Sequence, residues 1–232
     1  MSALKPLADW FGGLPQVILM DLDGTLVDSA ADIALSLNRA LADLGLGAVT
    51  EAQVRDWVGR GAARLIEVAL QHVVPHHAQD PQRHAVEARL LAAFMTRYQD
   101  SVCEASTVYP GVAEFVAAAR ASGIRLACVT NKPYRPAVAL LEALNLLDAF
   151  ELVIGGDTLA HKKPHPEPLL HCLRHFEVTA AQALMVGDSR NDVDAAKAAG
   201  VKSLAVPYGY NHGEPIEACE PDRLVASLAE LI

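Results

Sequence analysis

The chain has 232 residues, with 19 basic and 28 acidic side chains and a formal net charge of -9. Hydrophobic residues make up 52% and charged residues 20%, a globular composition that excludes a disordered chain and suits one large domain or two small ones. The acidic balance argues against a non-specific nucleic-acid binder or a ligand for anionic membranes, but a locally positive pocket can still take an anion. Cys103, Cys128, Cys172 and Cys219 are scattered without a C-x-x-C pair and read as free thiols in a reducing compartment. The N-terminal MSALKPLADWFGG lacks a continuous apolar run, and no stretch reaches the length of a membrane helix. The expectation is a soluble cytoplasmic protein.

In chain order, the apolar run VILMD (17–21) reads as a buried strand. The segment 29–106 is different. ALSLNRALADLGL, GAARLIEVALQHV and AVEARLLAAFMTRY have helical spacing, and no convincing strand interrupts them. VPHHAQDPQ (74–82) reads as a loop between them, with His76 and His77 at the surface. So many helical residues after a first strand exceed an ordinary loop, which predicts an inserted all-α cap with hinges near Asp28 and Thr107. Beyond it a helix from Val112 precedes the strand IRLACVT (124–130). A helix over Ala137 to Leu147 follows, then the strands LVIGG (152–156), ALMVGD (183–188) and SLAVPYG (203–209). Alternating strands and helices imply a Rossmann-like, doubly wound parallel sheet with helices on both faces. The predicted division is 1–28 plus 107–232 for this α/β core and 29–106 for the cap.

Ligands of such sheets bind beyond the carboxyl ends of the strands. Asp21, Thr130 and Asp188 end three of the runs at that edge. Residues i and i+2 of a strand point the same way, so Asp21 and Asp23 can face one pocket. Hard carboxylate oxygens suit Mg²⁺, and Gly24 lets the backbone approach a ligand closely. Taken alone, Asp-Gly-Thr also fits an ordinary turn. The other strand ends add the Thr130 hydroxyl of VTNKP, Lys162 and Lys163 before Pro164, and Asp192 four residues beyond Asp188. Carboxylates beside an ammonium and a hydroxyl are hard to explain as packing and fit a phosphoryl group with Mg²⁺.

D-x-D-G-T-L, a strand ending in Thr, K-P and G-D-x-x-x-D, in that order, resemble the signature of the haloacid dehalogenase (HAD) superfamily of phosphotransferases. The resemblance covers essentially the whole chain, and 29–106 resembles that superfamily's C1-type helical cap. The longer runs WVGRGA, VYPGV, VTNKP, GGDTL, KKPHPEPLL and YGYNHGEPI are similar to the bacterial phosphoglycolate phosphatases. The resemblance implies an Mg²⁺-dependent phosphomonoester hydrolase in which Asp21 is the nucleophile and Asp23 the general acid and base. The ion is then held by Asp21, the Asp23 backbone carbonyl and Asp188. Thr130 and Lys163 stabilise the phosphoryl oxygens, with Lys163 preferred over Lys162 because it directly precedes Pro164. Gly24, Asn131 and Asp192 support the substrate and the ligands, and Asp192 orients Lys163. Arg60, in the cap segment 58–62, either meets a substrate carboxylate or is a solvated arginine at a helix start. It departs from the family, where an uncharged residue is usual.

The expected partner is a small phosphorylated substrate, 2-phosphoglycolate first, with no nucleic acid and no membrane, in a monomer or homodimer. Sugar phosphates, N-acetylmuramate 6-phosphate and pyrophosphate are the alternatives on the same scaffold. A receiver-like signalling domain also uses Asp, Thr and Lys, but receivers are about half this length and have no helical insert. His171 and His175 lie four apart on a predicted helix without a third ligand and read as solvent-facing. His161 and His165 flank the Lys-Pro motif, and His212 is placed at the site rim. Ser29 and Ser189 lack the context of a serine nucleophile.

Overall fold

The computed structural model describes residues 4–232. Its strands are β1 (Val17–Met20), β2 (Val27–Asp28), β3 (Thr107–Val108), β4 (Arg125–Val129), β5 (Leu152–Ile154), β6 (Ala183–Gly187), β7 (Lys202–Ala205) and β8 (Arg223–Leu224). Its helices are α1 (Lys5–Phe11), α2 (Ala30–Asp43), α3 (Glu51–Trp57), α4 (Ala62–Val73), α5 (Arg83–Asp100), α6 (Val112–Ala121), α7 (Tyr134–Ala143), α8 (Glu167–Phe176) and α9 (Arg190–Ala199).

Every residue of β1 is buried, as a strand covered on both faces requires. Its alternating side chains enter two different cores. Ile18 and Met20 pack with Leu126, Leu184 and Leu204 under α1, α6 and α7, where Phe115 and Leu140 are buried. Val17 and Leu19 pack with Ala127 and Met185 under α8 and α9, against Leu169 and Ala195. Six strands form one parallel sheet in the order β5-β4-β1-β6-β7-β8. The five predicted strands are all present, each a little shorter than its apolar run. The helix expected to reach Leu147 ends at Ala143 and is followed by a short 3-10 turn from Leu147 to Ala149.

Register decides which residues meet. Met20 pairs with Cys128 on one side and Val186 on the other, and Val129 pairs with Ile154. Asp21, Thr130 and Asp188 therefore emerge within about one residue of each other along the same sheet edge.

The chain leaves this unit after β2 and returns through β3, with Asp28 opposite Thr107 in an antiparallel pair. Between them α2 to α5 enclose their own core, with Leu37, Leu41, Leu65, Ile66, Leu70, Leu90 and Phe94 buried. α3, absent from the predicted elements, is a single short helix started by a Thr50–Gln53 capping box. The loop 74–82 contains a 3-10 turn over His77–Gln79. His77 is buried there with its Nε2 3.0 Å from Glu87 Oε1, which corrects the expectation of a surface residue.

Asp32, fully buried in the first turn of α2, clasps the returning chain. Its carboxylate accepts from the backbone N–H groups of Ala105 and Ser106 at 2.8 Å each and from the Ser106 hydroxyl. Replacing it strands buried donors. Asp32→Ala is expected to lower stability by about 3 kcal/mol in a urea titration followed by circular dichroism. A loss below about 0.5 kcal/mol would mean that these donors find other partners.

Candidate active site

Beyond β1 the chain turns sharply and brings Asp21, Asp23 and Gly24 to the sheet edge. Gly24 has a positive φ of 88°, and a Cβ there would lie 2.2 Å from Asp188 Oδ2. A Cβ on Gly209 would meet the same oxygen at 2.3 Å. The two glycines let two backbone segments close around the Asp188 carboxylate. Asp188 accepts from the Thr25 hydroxyl and the Tyr210 N–H, both at 2.6 Å and both neutral donors.

Lys163 comes from the loop before α8 and is only 1% exposed. Its ammonium lies 3.0 Å from Asp21 Oδ1 and 2.7 Å from Asp192 Oδ1, and also donates to the Val129 carbonyl. Asp192 sits in the first turn of α9. Its other oxygen accepts from the Ser189 N–H and hydroxyl at 3.0 and 2.8 Å and from the Asp188 N–H at 3.2 Å. One carboxylate thus completes a capping box and aims the lysine.

Carboxylate oxygens of Asp21, Asp188 and Asp192 all lie within 4.8 Å of one another, and all three residues are buried. Among the described residues one ammonium, that of Lys163, pairs with this trio, so the cluster carries a formal surplus of two negative charges if all ionise. Burial pushes the Asp21 carboxyl from 3.8 up to about 7, with Lys163 pulling it down and Asp192 pushing it up. Asp188 is also raised, by burial and then by Asp192 and Asp21. Burial would favour neutral Lys163, but Asp192 and Asp21 outweigh it and hold its pKa above the ordinary lysine range. Hard oxygen donors, two surplus charges and a cleft at the strand ends fit a divalent cation.

Asp23 stands apart from that trio. Its carboxylate is held by Lys132 Nζ at 2.8 and 3.1 Å and by the Ser29 hydroxyl at 2.5 Å. Lys132 was not singled out from the sequence. The Lys-Pro pair of VTNKP, two residues past the strand-end threonine, was the available signal. Tyr210 was also missed. Its hydroxyl accepts from the Ser29 and Ala30 N–H groups and donates to Asp28, and Arg55 pairs with the same carboxylate at 3.0 Å.

Asp21, Asp23, Thr130, Asn131 and Lys132 line one side of a cleft, and Val58, Gly59, Leu65, Phe94 and Tyr98 of the helical unit line the other. The Gly59 carbonyl accepts from the amides of Asn131 and Asn191, at 2.8 and 3.1 Å. Asn131 also donates to the Lys163 carbonyl at 2.8 Å. Arg60 is not among the lining residues, and its side chain is exposed. What it contributes is a backbone carbonyl, which accepts from Lys162 Nζ at 2.8 Å. His212 packs near Gly59 at the junction of the two units, with Nδ1 3.3 Å from the Asp56 carbonyl.

Known proteins share this chain's sequence and fold. A phosphoglycolate phosphatase of Nitrosococcus oceani is 43% identical over 217 residues, covering 94% of this chain and 95% of its own. One from Pseudomonas putida is 43% identical over 95% of this chain and 80% of its own. A predicted phosphoglycolate phosphatase of Haemophilus somnus, solved as a crystal structure, superposes with a TM-score of 0.85 at 35% identity, covering 93% of this chain and 96% of that one. CbbY from Rhodobacter sphaeroides, solved in complex with phosphate, gives a TM-score of 0.78 at 30% identity, covering 94% of this chain and 96% of its own. The model of the haloacid dehalogenase-like hydrolases matches residues 18–206. The chain belongs to the haloacid dehalogenase-like hydrolase family, and it is a phosphatase.

Proposed function

We propose that the chain is an Mg²⁺-dependent phosphomonoester hydrolase that converts 2-phosphoglycolate to glycolate and phosphate through an aspartyl-phosphate on Asp21. The observation that carries the chemistry is the buried Asp21 carboxylate, at the mouth of a cleft, held by Lys163 with a second carboxylate, Asp23, beside it. The substrate rests on the relatives above, two of them 43% identical and named for it.

In the first half-reaction an Asp21 oxygen attacks phosphorus and the ester P–O bond breaks. Asp23 gives its proton to the departing alkoxide. In the second, Asp23 takes a proton from water, whose oxygen attacks phosphorus and releases Asp21. Thr130 and Lys163 donate to the non-bridging oxygens, the positioning and charge work that phosphoryl transfer needs. Asp192 does not touch the substrate in this account and holds Lys163 in place. Asp21, Asp188 and the Asp23 backbone carbonyl would hold Mg²⁺, which supplies charge neutralisation between the nucleophile and the phosphoryl oxygens.

Residues 29–106 act in this reading as a cap over the 1–28 and 107–232 core, opening about β2 and β3. Val58, Leu65 and Phe94 would exclude bulk water from the closed cleft. No described helix is long and apolar enough to cross a membrane, and the four cysteines are free thiols. A cytoplasmic setting belongs to the same proposal.

Steady-state phosphate release with Mg²⁺ tests the substrate. Over sugar phosphates, N-acetylmuramate 6-phosphate and pyrophosphate, 2-phosphoglycolate should lead in kcat/KM by about two decades. If another ester leads, the substrate assignment fails and the phosphatase chemistry stands. Asp23→Asn should lower kcat by about 10²–10⁴ while Mg²⁺ binding measured by calorimetry persists. Wild-type turnover in that variant would remove Asp23 from proton transfer.

A further inference from the structure

The cleft contains an ion pair that the phosphoryl chemistry alone does not require. Lys132 and Asp23 are 3% and 10% exposed in their side chains and 2.8 Å apart. The ammonium also lies over the Tyr98 ring, 4.6 Å from its centroid. The Tyr98 hydroxyl is buried and has no hydrogen-bond partner among the described residues. An unsatisfied buried hydroxyl on a cleft wall is costly unless a ligand uses it, and the Lys132 ammonium beside it can share an anionic ligand with it.

We propose that Lys132, seconded by the Tyr98 hydroxyl, is the specificity-determining residue for a carboxylate one carbon away from the ester carbon of the substrate. The inference rests on the reading of the site as a phosphatase in which Asp23 serves the ester oxygen. To do so Asp23 must lie within about 2.6–3.2 Å of that oxygen. Lys132 is one hydrogen bond beyond Asp23, so its ammonium is within about 6 Å of the ester oxygen. A 2-phosphooxy carboxylate places its anion inside that span. An anion at the far end of a sugar lies outside it.

The Lys132 ammonium faces one carboxylate, Asp23, so a substrate carboxylate beside the ester oxygen would be its second anionic partner. Burial pushes the Tyr98 phenol up to about 12, so it remains a donor to that carboxylate at neutral pH. Lys132 is the cation among the residues that line the cleft, whereas Lys163 lies outside that lining and the Arg60 side chain is exposed.

The test compares 2-phosphoglycolate with its neutral amide, 2-phosphoglycolamide, in wild type, Lys132→Met and Tyr98→Phe, with kcat and KM measured separately. Wild type should prefer the acid by about 100-fold in kcat/KM. Lys132→Met should lower kcat for both esters, because Asp23 loses its partner. It should also shrink the acid-to-amide preference by at least about 30-fold, read in KM. Tyr98→Phe keeps the ring and should shrink the preference by about 5-fold, which decides the matter if Lys132→Met does not fold. A wild-type preference that persists in the variants overturns the role of Lys132 and leaves the substrate assignment standing. No preference in wild type overturns both, while phosphate release from either ester still upholds the phosphatase.

Discussion

Among the described residues Lys163 is the one ammonium set against three buried carboxylates at the carboxyl edge of the sheet, and much of the surrounding structure keeps that imbalance in place. Burial and the neighbouring carboxylates raise the Asp21 and Asp188 carboxyls, a shift that a bound cation would oppose. The sheet register brings the acids together, Gly24 and Gly209 let the backbone close on Asp188, and the α9 capping box fixes Asp192. Together they keep an electrostatically unfavourable site from relaxing.

A second, balanced pair sits beside the unbalanced cluster. Asp23 and Lys132 neutralise each other, and Ser29 ties that pair to the first turn of the helical unit. The same unit is tied to the core through Gly59, Arg60 and the Arg55–Asp28–Tyr210 contacts. Separating the two units therefore breaks polar contacts at both rims of the cleft. Core loops and helices together line the cleft onto which Asp21 opens.

The sheet was legible because buried parallel strands read as continuous apolar runs, and β1, β4, β5, β6 and β7 all do. Asp21, Thr130 and Asp188 were legible because each ends such a run. β2, β3 and β8 are two residues long and have no pattern to detect. Lys132 and Tyr98 escaped for another reason. Their proximity depends on how α5 docks over the loop after β4, a long-range packing fact that no local spacing encodes. Arg60 illustrates the converse: a charge in a glycine-flanked loop suggested a ligand contact, but the loop uses its backbone carbonyls and turns that side chain outward. His77 was read as exposed from its polar, proline-containing neighbourhood, although its ring is buried and paired with the half-buried Glu87.

The central claim is that the Asp21 cluster is held ready for a divalent cation that displaces protons from it. Its most direct test is calorimetry of Mg²⁺ binding to the metal-free protein in buffers of different ionisation enthalpy. With the Asp21 carboxyl raised from 3.8 to about 7, the protein at pH 6.5 retains a proton that the ion must expel. The account predicts net proton release at pH 6.5 that falls by pH 8.5 and diminishes in Asp21→Asn. Binding without proton release at pH 6.5, or no binding at all, would contradict it.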